Sequence, residues 1–465
     1  MNDITPKAGL RRQESATTGA THLVAADAAM LRYDDLSNGD RELVRQCVLD
    51  TLGVAIAGID EDVTRIVRDF CQREGSTPVS SLIGHGGRMS VRQAALINGT
   101  AAHALDYDDC NLIMPGHVSA AVLPAVLSVA DARGSSGRDL ITAFAAGYEA
   151  GSSVGAMLAP GHYDRGFHAT GTTGTLGAAA ACARLMQLDV ESTAQALSIA
   201  ATTAAGLKGL FGTMAKPFHA GRASENGVLA AELAAAGFFA RGDAIECRQG
   251  FADTHTPTFD PALAQVRPAA GRYLHSNLFK YHAACYGTHG VIECALLLRD
   301  QLGERVAQID SLLLEVAPEN DKACNIPHPN SSFESRFSMR HTVGMALTGH
   351  DTAAADAYGE ESLSDERIAR LRAVTTVTYI PDVNMAHSFI TARLSDGSTV
   401  RLGFDAGTPA SDLGSQHAKL VRKFRALVTP VLGASRCESL IDAIDALDQM
   451  QNVSALLALT QRASV

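Results

Sequence analysis

The chain has 465 residues and a formal net charge of −11 at pH 7. Hydrophobic residues make up 46% of it and aromatic residues 5%, with no tryptophan. The interior is therefore built mainly from small aliphatic side chains, which let helices pack closely. The length favours two domains. The acidic balance and the lack of a basic run argue against nucleic acid or an anionic membrane as a partner.

The nine cysteines are scattered and form no C-x-x-C pair. This distribution is typical of reduced thiols and not of a disulfide framework or a zinc ribbon. Residues 1–22 are polar and lack the apolar stretch of a secretory signal, so we interpret them as a flexible tail. The apolar runs are shorter than a membrane span. We therefore expect a cytoplasmic protein that does not bind membranes.

The first half of the chain has helical periodicity nearly throughout. Apolar residues repeat at helical spacing after Asp40, which we expect to be an N-cap. Gly and Pro residues at Lys216–Pro217 and Gly221 predict a break between two later helices. Further helical faces are predicted over residues 117–133, 138–158, 171–187, 192–206 and 223–238.

The pattern changes after about residue 270. Residues 309–316 and 374–379 are predicted to be strands, and a hairpin is predicted to turn at Asp396–Gly397. Helices are expected at 286–300, 364–372 and 418–448. The sequence thus predicts a mainly α protein: a large all-helical domain (23–270 plus 405–465) containing an inserted, smaller α+β lid domain (271–404).

Three polar segments interrupt the apolar first half, at residues 98–127, 161–181 and 212–227. Burying carboxylates is costly unless each finds a partner. A chain that keeps such segments between apolar helices is expected to build one active site from them. Loops between packed helices are the usual place for such chemistry.

His117 follows Pro115–Gly116 and begins an apolar helix, a place that suits a carboxylate-bearing ligand. A capping or solvated histidine is the simpler alternative. The D-x-D-D run ending at Asp109 lacks the regularly spaced oxygen ligands of a Mg²⁺ or Ca²⁺ loop. It would equally serve to orient neighbouring histidines or to cap a helix, so we predict no metal site.

Lys216 lies among apolar residues, where a lysine without a partner anion is uncommon. A lysine whose head group reaches the surface is the alternative. His162 and His168 precede an Ala-rich helix, but their spacing is not that of a zinc protease. His289 lies just before another apolar helix, and it too could be either a site residue or a structural one.

At these positions the sequence resembles the MmgE/PrpD family, which includes 2-methylcitrate dehydratases, cis-aconitate decarboxylases and iminodisuccinate epimerases. The resemblance runs through nearly the whole chain. It is carried by the order and spacing of NGTAAHALDYDD, GHVSAAVLPA, GYEAG, GFHATGTTGTLGAAAA, GTMAKPFHAGRASENGVLAA, CYGTHG and RFSMRHTVGMAL. It implies a helical domain with a lid, a homodimer, and chemistry without a cofactor on a small polycarboxylate.

The resemblance also implies the site residues. The positions that match catalytic motif residues are Asp106, His117, His168, Lys216 and His289. Those expected to contact substrate are Cys110, His341 and His282, the last being the alternative to His289. Cys110 stands where decarboxylases of the family have threonine, and His341 where they have tyrosine. The link from Asp109 to His117 is also one residue longer, so these departures disfavour itaconate formation.

The resemblance, together with these residues, implies a cofactor-independent lyase. The first hypothesis is a hydro-lyase that acts on a 2-methylcitrate-like di- or tricarboxylate by proton abstraction next to a carboxylate. Cationic groups would stabilise the developing charge, and histidines would transfer the proton. The alternatives are an epimerase of an iminodisuccinate-like dicarboxylate and a cis-aconitate-type decarboxylase. A polycarboxylate-binding protein without activity is the non-enzyme alternative.

Overall fold

Helices form most of the first half of the protein. The computed structural model describes residues 19–266 and 271–462. The helices before residue 267 are α1 (Ala20–Met30), α2 (Asn38–Gly58), α3 (Asp62–Glu74), α4 (Val91–His103), α5 (Val118–Arg133), α6 (Gly137–Leu158), α7 (Gly161–Asp164), α8 (Thr173–Leu185), α9 (Val190–Thr203), α10 (Ala215–Ala235) and α11 (Phe251–His255). Helices α4, α5, α6, α8 and α10 pack against one another with almost wholly buried apolar side chains.

The second part combines helices with a four-stranded sheet. Its helices are α12 (His289–Leu302), α13 (Asn320–Cys324), α14 (Ser332–Ser335), α15 (Met339–Thr348), α16 (Glu360–Ser364), α17 (Glu366–Ala373), α18 (Leu413–Leu432), α19 (Ala434–Asp445) and α20 (Ser454–Thr460). The strands of the whole chain are β1 (Ser80–Ser81), β2 (Arg88–Met89), β3 (Cys110–Asn111), β4 (Asn277–Leu278), β5 (Ile309–Val316), β6 (Thr375–Tyr379), β7 (His387–Leu394) and β8 (Thr399–Asp405).

The sheet order is β6-β5-β7-β8, with β5 and β6 parallel and the other neighbours antiparallel. Helix α12 packs on β7 and β8, and α15 packs on α12 and α17. Gly397, with φ of 82°, lies in the β7–β8 turn, as the hairpin prediction requires. The prediction of a mainly α protein with a smaller α+β part is confirmed.

Two contacts tie the segments on either side of the sheet to the helices. Strand β4 pairs with β3, with Cys110 opposite Leu278. Helix α18 packs against α2, so the chain returns to the first helices after β8. An inserted lid domain requires contacts of this kind. The domain boundaries at residues 270 and 405 remain a prediction. No helix within the described residues has the length and apolar character needed to cross a membrane.

Two local predictions were wrong. Helix α2 has Ser37 as its N-cap, and Asp40 is the acidic partner of that capping box. The tail was expected to extend to residue 22, but α1 begins at Ala20; residues 1–18 lie outside the described residues. The region 418–448 is helical as predicted and consists of two helices, since Gly433, with φ of 83°, separates α18 from α19.

The predicted break near Gly221 is also absent, because α10 begins at Ala215 and continues through it. Pro217 lies in the first turn, where the missing N–H has no helical acceptor to lose. A Cβ on Gly221 would lie 2.2 Å from Thr100 Oγ1 of α4. Glycine is therefore needed at this position for close helix approach and does not end the helix.

A buried polar network joins α2, α18 and the loop after α4. Lys423 donates to Asp50 Oδ1 (2.5 Å) and to the carbonyl of Tyr107 (2.6 Å). Asp50 Oδ2 accepts from the backbone N–H of Asp109 (3.1 Å), while the Asp109 carboxyl accepts from Ser119 and Asn277. Burial and the neighbouring Asp50 charge raise the pKa of Asp109 to about 7.

Replacing Lys423 with methionine is expected to destabilise the fold strongly. The change leaves the Asp50 carboxylate buried without its cation, at a cost of about 3–5 kcal/mol in the free energy of unfolding. The double variant Lys423→Met/Asp50→Asn should recover part of this loss, measured by urea denaturation. Lys419→Met is the matched control, one turn earlier on α18 and 37% exposed. If Lys423→Met and Lys419→Met had equal urea midpoints, the stabilising role of the Lys423–Asp50 pair would be contradicted.

Candidate active site

Asp106 lies in the loop after α4, with a left-handed φ of 50°. Such a conformation is uncommon outside glycine and persists where surrounding contacts hold it. Here Asp106 Oδ2 lies 2.7 Å from Lys216 Nζ, and Oδ1 accepts from Lys280 Nζ at 3.0 Å. Lys280 also donates to the Asp106 carbonyl. The Asp106 side chain is still 48% exposed, so the cluster faces an open recess.

The two lysines come from distant parts of the chain. Lys216 is in the first turn of α10, and its ammonium group lies 5.2 Å from the centre of the Phe211 ring. Lys280 follows β4 and is buried. Desolvation acts to raise the pKa of Asp106, but the charges of Lys280, Lys216 and the adjacent histidines hold it well below its usual range. The pair therefore keeps Asp106 ionised.

Asp108 orients two histidines. His103 Nδ1 donates to the Asp108 carboxylate at 2.9 Å, and His117 Nδ1 lies 3.0 Å from the other carboxylate oxygen. His117 Nδ1 is also 2.7 Å from the carbonyl of Asp109, which can only accept. The proton of the neutral His117 ring is therefore on Nδ1. Its Nε2, 3.7 Å from Asp106 Oδ1, is left as the basic nitrogen on the side of the Asp106 carboxylate.

His103 and His168 are buried beside this cluster. Their rings stack with centroids 5.8 Å apart, and the His168 ring meets Phe211 edge-on. Burial lowers the pKa of His103 to about 4, against the opposing effect of Asp108. Burial and the neighbouring His103, His117 and Lys216 charges hold the pKa of His168 far below its usual range. Both rings are therefore neutral at pH 7.

The structure brings together four of the predicted catalytic residues: Asp106, His117, His168 and Lys216. The fifth, His289, is buried on α12, where its Nε2 lies 3.3 Å from the carbonyl of Ala284. It lines a separate cavity of about 280 Å³ bounded by β4, α12 and the start of α18. His282 contacts Thr352 and Glu293 and packs against His289.

The other two predicted substrate contacts have different positions. Cys110 is buried in β3 near Lys280, and burial raises the pKa of its thiol to about 12. His341 lies in α15 with its side chain fully buried, and its Nε2 is 3.2 Å from Ser362 Oγ. Within the described residues, His341 contacts none of the side chains around Asp106. The structure therefore brings Cys110 close to that cluster and leaves His341 away from it.

Sequence reasoning assigned no role to His103 or Lys280. It gave Asp108 a role only as part of the D-x-D-D run, which was expected to orient neighbouring histidines or to cap a helix, and the contacts of Asp108 with His103 and His117 agree with the first of these. Lys280 follows Asn277–Phe279 in an apolar setting, the same signal that identified Lys216. His103 was visible as part of the first polar segment. Its role depends on the five-residue separation from Asp108 across the end of α4, and spacing alone does not predict that contact.

Four of these side chains could in principle hold a metal ion. Ligand atoms of His103, Asp106, Asp108 and His117 all lie within 4.8 Å of one another. However, both Asp106 oxygens are paired with lysines, and both Asp108 oxygens contact histidine nitrogens. A cation would have to displace a lysine or lie beside two ammonium groups. The donor set therefore fits an anionic ligand better than a metal ion.

The arrangement provides ammonium groups, a basic imidazole nitrogen and an open face in one place. The lysines can bind a carboxylate and stabilise negative charge that develops next to it. His117 Nε2 can accept a proton, and Asp108 would stabilise the resulting imidazolium. The site can thus remove a proton beside a carboxylate without further groups.

Sequence comparison with known proteins identifies the family of the chain. The sequence profile of the MmgE/PrpD N-terminal domain matches residues 23–264, and that of the C-terminal domain matches residues 282–449. The chain is 28% identical to human cis-aconitate decarboxylase over 89% of each protein. It is 26% identical to the mouse cis-aconitate decarboxylase (94% and 92% covered) and 24% identical to that of Aspergillus terreus (96% of each). With matches that span most of its length, the chain belongs to the MmgE/PrpD family.

Proposed function

We propose that the protein is a lyase that acts on a small di- or tricarboxylate by removing a proton next to a carboxylate. The observation that carries this proposal is the pair of ammonium groups, Lys216 and Lys280, on Asp106 beside the basic Nε2 of His117. The relatives named as cis-aconitate decarboxylases support the lyase class and a polycarboxylate substrate. A homodimer and a cytoplasmic location remain predictions.

In the proposed reaction, a substrate carboxylate binds the two lysines and shares them with Asp106. His117 Nε2 takes the proton from the adjacent carbon, and the electron pair of that C–H bond moves toward the carboxylate. Lys216 and Lys280 stabilise the added charge, the largest contribution in many active sites. In a hydro-lyase, the electron pair then forms the double bond as the C–O bond on the neighbouring carbon breaks. The leaving hydroxide takes a proton from solvent to become water, and the His117 imidazolium returns its proton to solvent.

Decarboxylation is the second candidate, and the names of the relatives favour it. In that case the C–C bond to a carboxylate breaks, CO2 leaves, and a proton is delivered to the carbon. The same lysines would stabilise the electron pair left behind. Cys110, whose thiol hydrogen-bonds more weakly than a hydroxyl group, still distinguishes this site from the family's decarboxylases.

Replacing Lys216 with alanine is expected to lower kcat by about 100-fold or more, because one of two charge-stabilising groups is lost. Stability should change by less than about 1 kcal/mol, since this ion pair faces an open recess. Lys208→Ala is the matched control. Lys208 precedes Lys216 by eight residues, and its ammonium group donates to the Tyr163 carbonyl and not to Asp106. Unfolding of the Lys216 variant, or unchanged turnover, would contradict the assigned role.

Chelation should leave activity unchanged, because the Asp106 oxygens are paired with lysines and the Asp108 oxygens with histidine nitrogens, which leaves neither carboxylate for a metal. The measurement is turnover before and after exhaustive dialysis against EDTA, with metal content checked in the dialysed sample. Loss of activity that Mg²⁺ or Zn²⁺ restores would show that His103, Asp106, Asp108 and His117 hold a metal in solution.

Proton NMR in D2O identifies the reaction. The enzyme would be incubated with 2-methylcitrate, cis-aconitate and iminodisuccinate in separate samples. We expect loss or addition of water on a tricarboxylate with deuterium entering the product, and little or no itaconate from cis-aconitate. Vinyl signals of itaconate would establish the decarboxylase alternative, and deuterium exchange without net conversion the epimerase. An unchanged spectrum with all three acids would contradict a lyase that acts on these substrates.

A further inference from the structure

The segment between α9 and α10 exposes an unusual number of apolar side chains. Within the described residues, five of the fifteen exposed large apolar side chains lie between Leu207 and Phe218. Four of them precede α10 in the run LKGLFGTM, residues 207–214. Apolar side chains that are exposed together on a soluble protein commonly mark a place where a ligand or partner binds.

The polar groups of this run are turned toward the protein. Its one charged residue, Lys208, donates to the carbonyl of Tyr163 at 3.0 Å, and its ammonium group lies over the Tyr163 ring. Thr213 Oγ1 donates to the carbonyl of Leu210 at 2.7 Å. We call the side chains that remain, each 37–54% exposed, the apolar patch: Leu207, Leu210, Phe211 and Met214. An approaching ligand would therefore meet hydrocarbon here.

The apolar patch adjoins the candidate active site. The backbone N–H of His168 donates to the carbonyl of Gly206 at 3.0 Å, which fixes the start of the run beside this histidine. The ring of Phe211 meets the His168 ring edge-on, with centroids 4.9 Å apart, and its centre lies 5.2 Å from Lys216 Nζ. Phe211 thus contacts two of the proposed catalytic residues while more than a third of its surface stays open.

These distances place Phe211 within reach of a bound substrate. A carboxylate oxygen that binds Lys216 would lie about 2.8 Å from Nζ. Since the Phe211 ring is 5.2 Å from the same nitrogen, a substituent on the carbon next to that carboxylate can touch the ring. A hydroxyl or carboxylate group in that position would lose hydration without gaining a partner. A hydrocarbon group would gain from leaving water.

We propose that the apolar patch is the subsite for a hydrocarbon substituent of the substrate, with Phe211 as the specificity-determining residue that contacts its first carbons. The inference rests on the proposed function and names the substrate class, a di- or tricarboxylate with an alkyl side chain of several carbons. The four exposed side chains of the patch offer more apolar surface than a single methyl group can cover.

The test is a binding series with unreactive ligands. Isothermal titration calorimetry would give Kd for tricarballylate and for its 2-alkyl derivatives from methyl to hexyl. With the wild-type protein, Kd should fall about two- to fourfold per added methylene, because each buried methylene contributes to binding. Phe211→Ala should make Kd nearly independent of chain length and leave the binding of tricarballylate itself little changed.

Three further variants separate this role from a structural one. Phe211→Leu keeps an apolar side chain and should keep most of the dependence on chain length. Phe238→Ala is the matched control, since Phe238 is 53% exposed and lies beyond the other end of α10. It should bind like the wild type. Lys216→Ala should weaken every member of the series by a similar factor, because it removes a contact to the shared carboxylates.

Several outcomes would overturn the proposal. These are a wild-type Kd that does not depend on chain length, the same dependence in Phe211→Ala, or no measurable binding of any member. If a second copy of the chain covers the patch, the wild type shows no dependence and Leu210→Glu dissociates an oligomer in analytical ultracentrifugation.

Turnover tests the proposed function separately. A dependence on chain length without turnover of any acid would support the subsite and contradict the lyase. Turnover without that dependence would support the lyase and overturn the subsite.

Discussion

The Asp106 carboxylate joins three segments that are far apart in the chain. Lys216 reaches it from α10 and Lys280 from the segment after β4, while the loop after α4 carries Asp106 itself. A buried ammonium group such as that of Lys280 needs an anion within reach. The same contact holds Asp106 in its left-handed conformation. The relative positions of the helical part and the following α+β part at this recess therefore depend on it.

A second ion pair, between Lys423 and Asp50, is fully buried and supports the backbone next to Asp106. Lys423 and Asp50 hold the carbonyl of Tyr107 and the N–H of Asp109, on both sides of Asp108. Asp108 in turn orients His103 and His117. The tautomer of His117 thus follows from a backbone that the buried pair positions, although neither Lys423 nor Asp50 contacts the recess. Such supporting contacts commonly determine how accurately a site is arranged.

Local periodicity predicted the elements better than it predicted their contacts. Strand β5 has the bounds predicted from the sequence, and α5 begins one residue from the predicted start. Gly221 was interpreted as a helix breaker because a chain alone does not show that α4 lies against it. His341 occupies a motif position, yet α15 buries its side chain beside Ser362. Lys280 was missed because the neighbouring histidines were the more familiar signal for catalysis.

The half-exposed Asp106 has a consequence for ligand choice. Because it already occupies both ammonium groups, it is an internal competitor for any carboxylate that enters, present at a high effective concentration. A ligand with a single carboxylate gains little by exchanging with it. A ligand with two or three carboxylates keeps further contacts while the exchange takes place. In the proposed active site, the intramolecular anion would therefore favour polycarboxylates over small monocarboxylic acids before any chemistry begins.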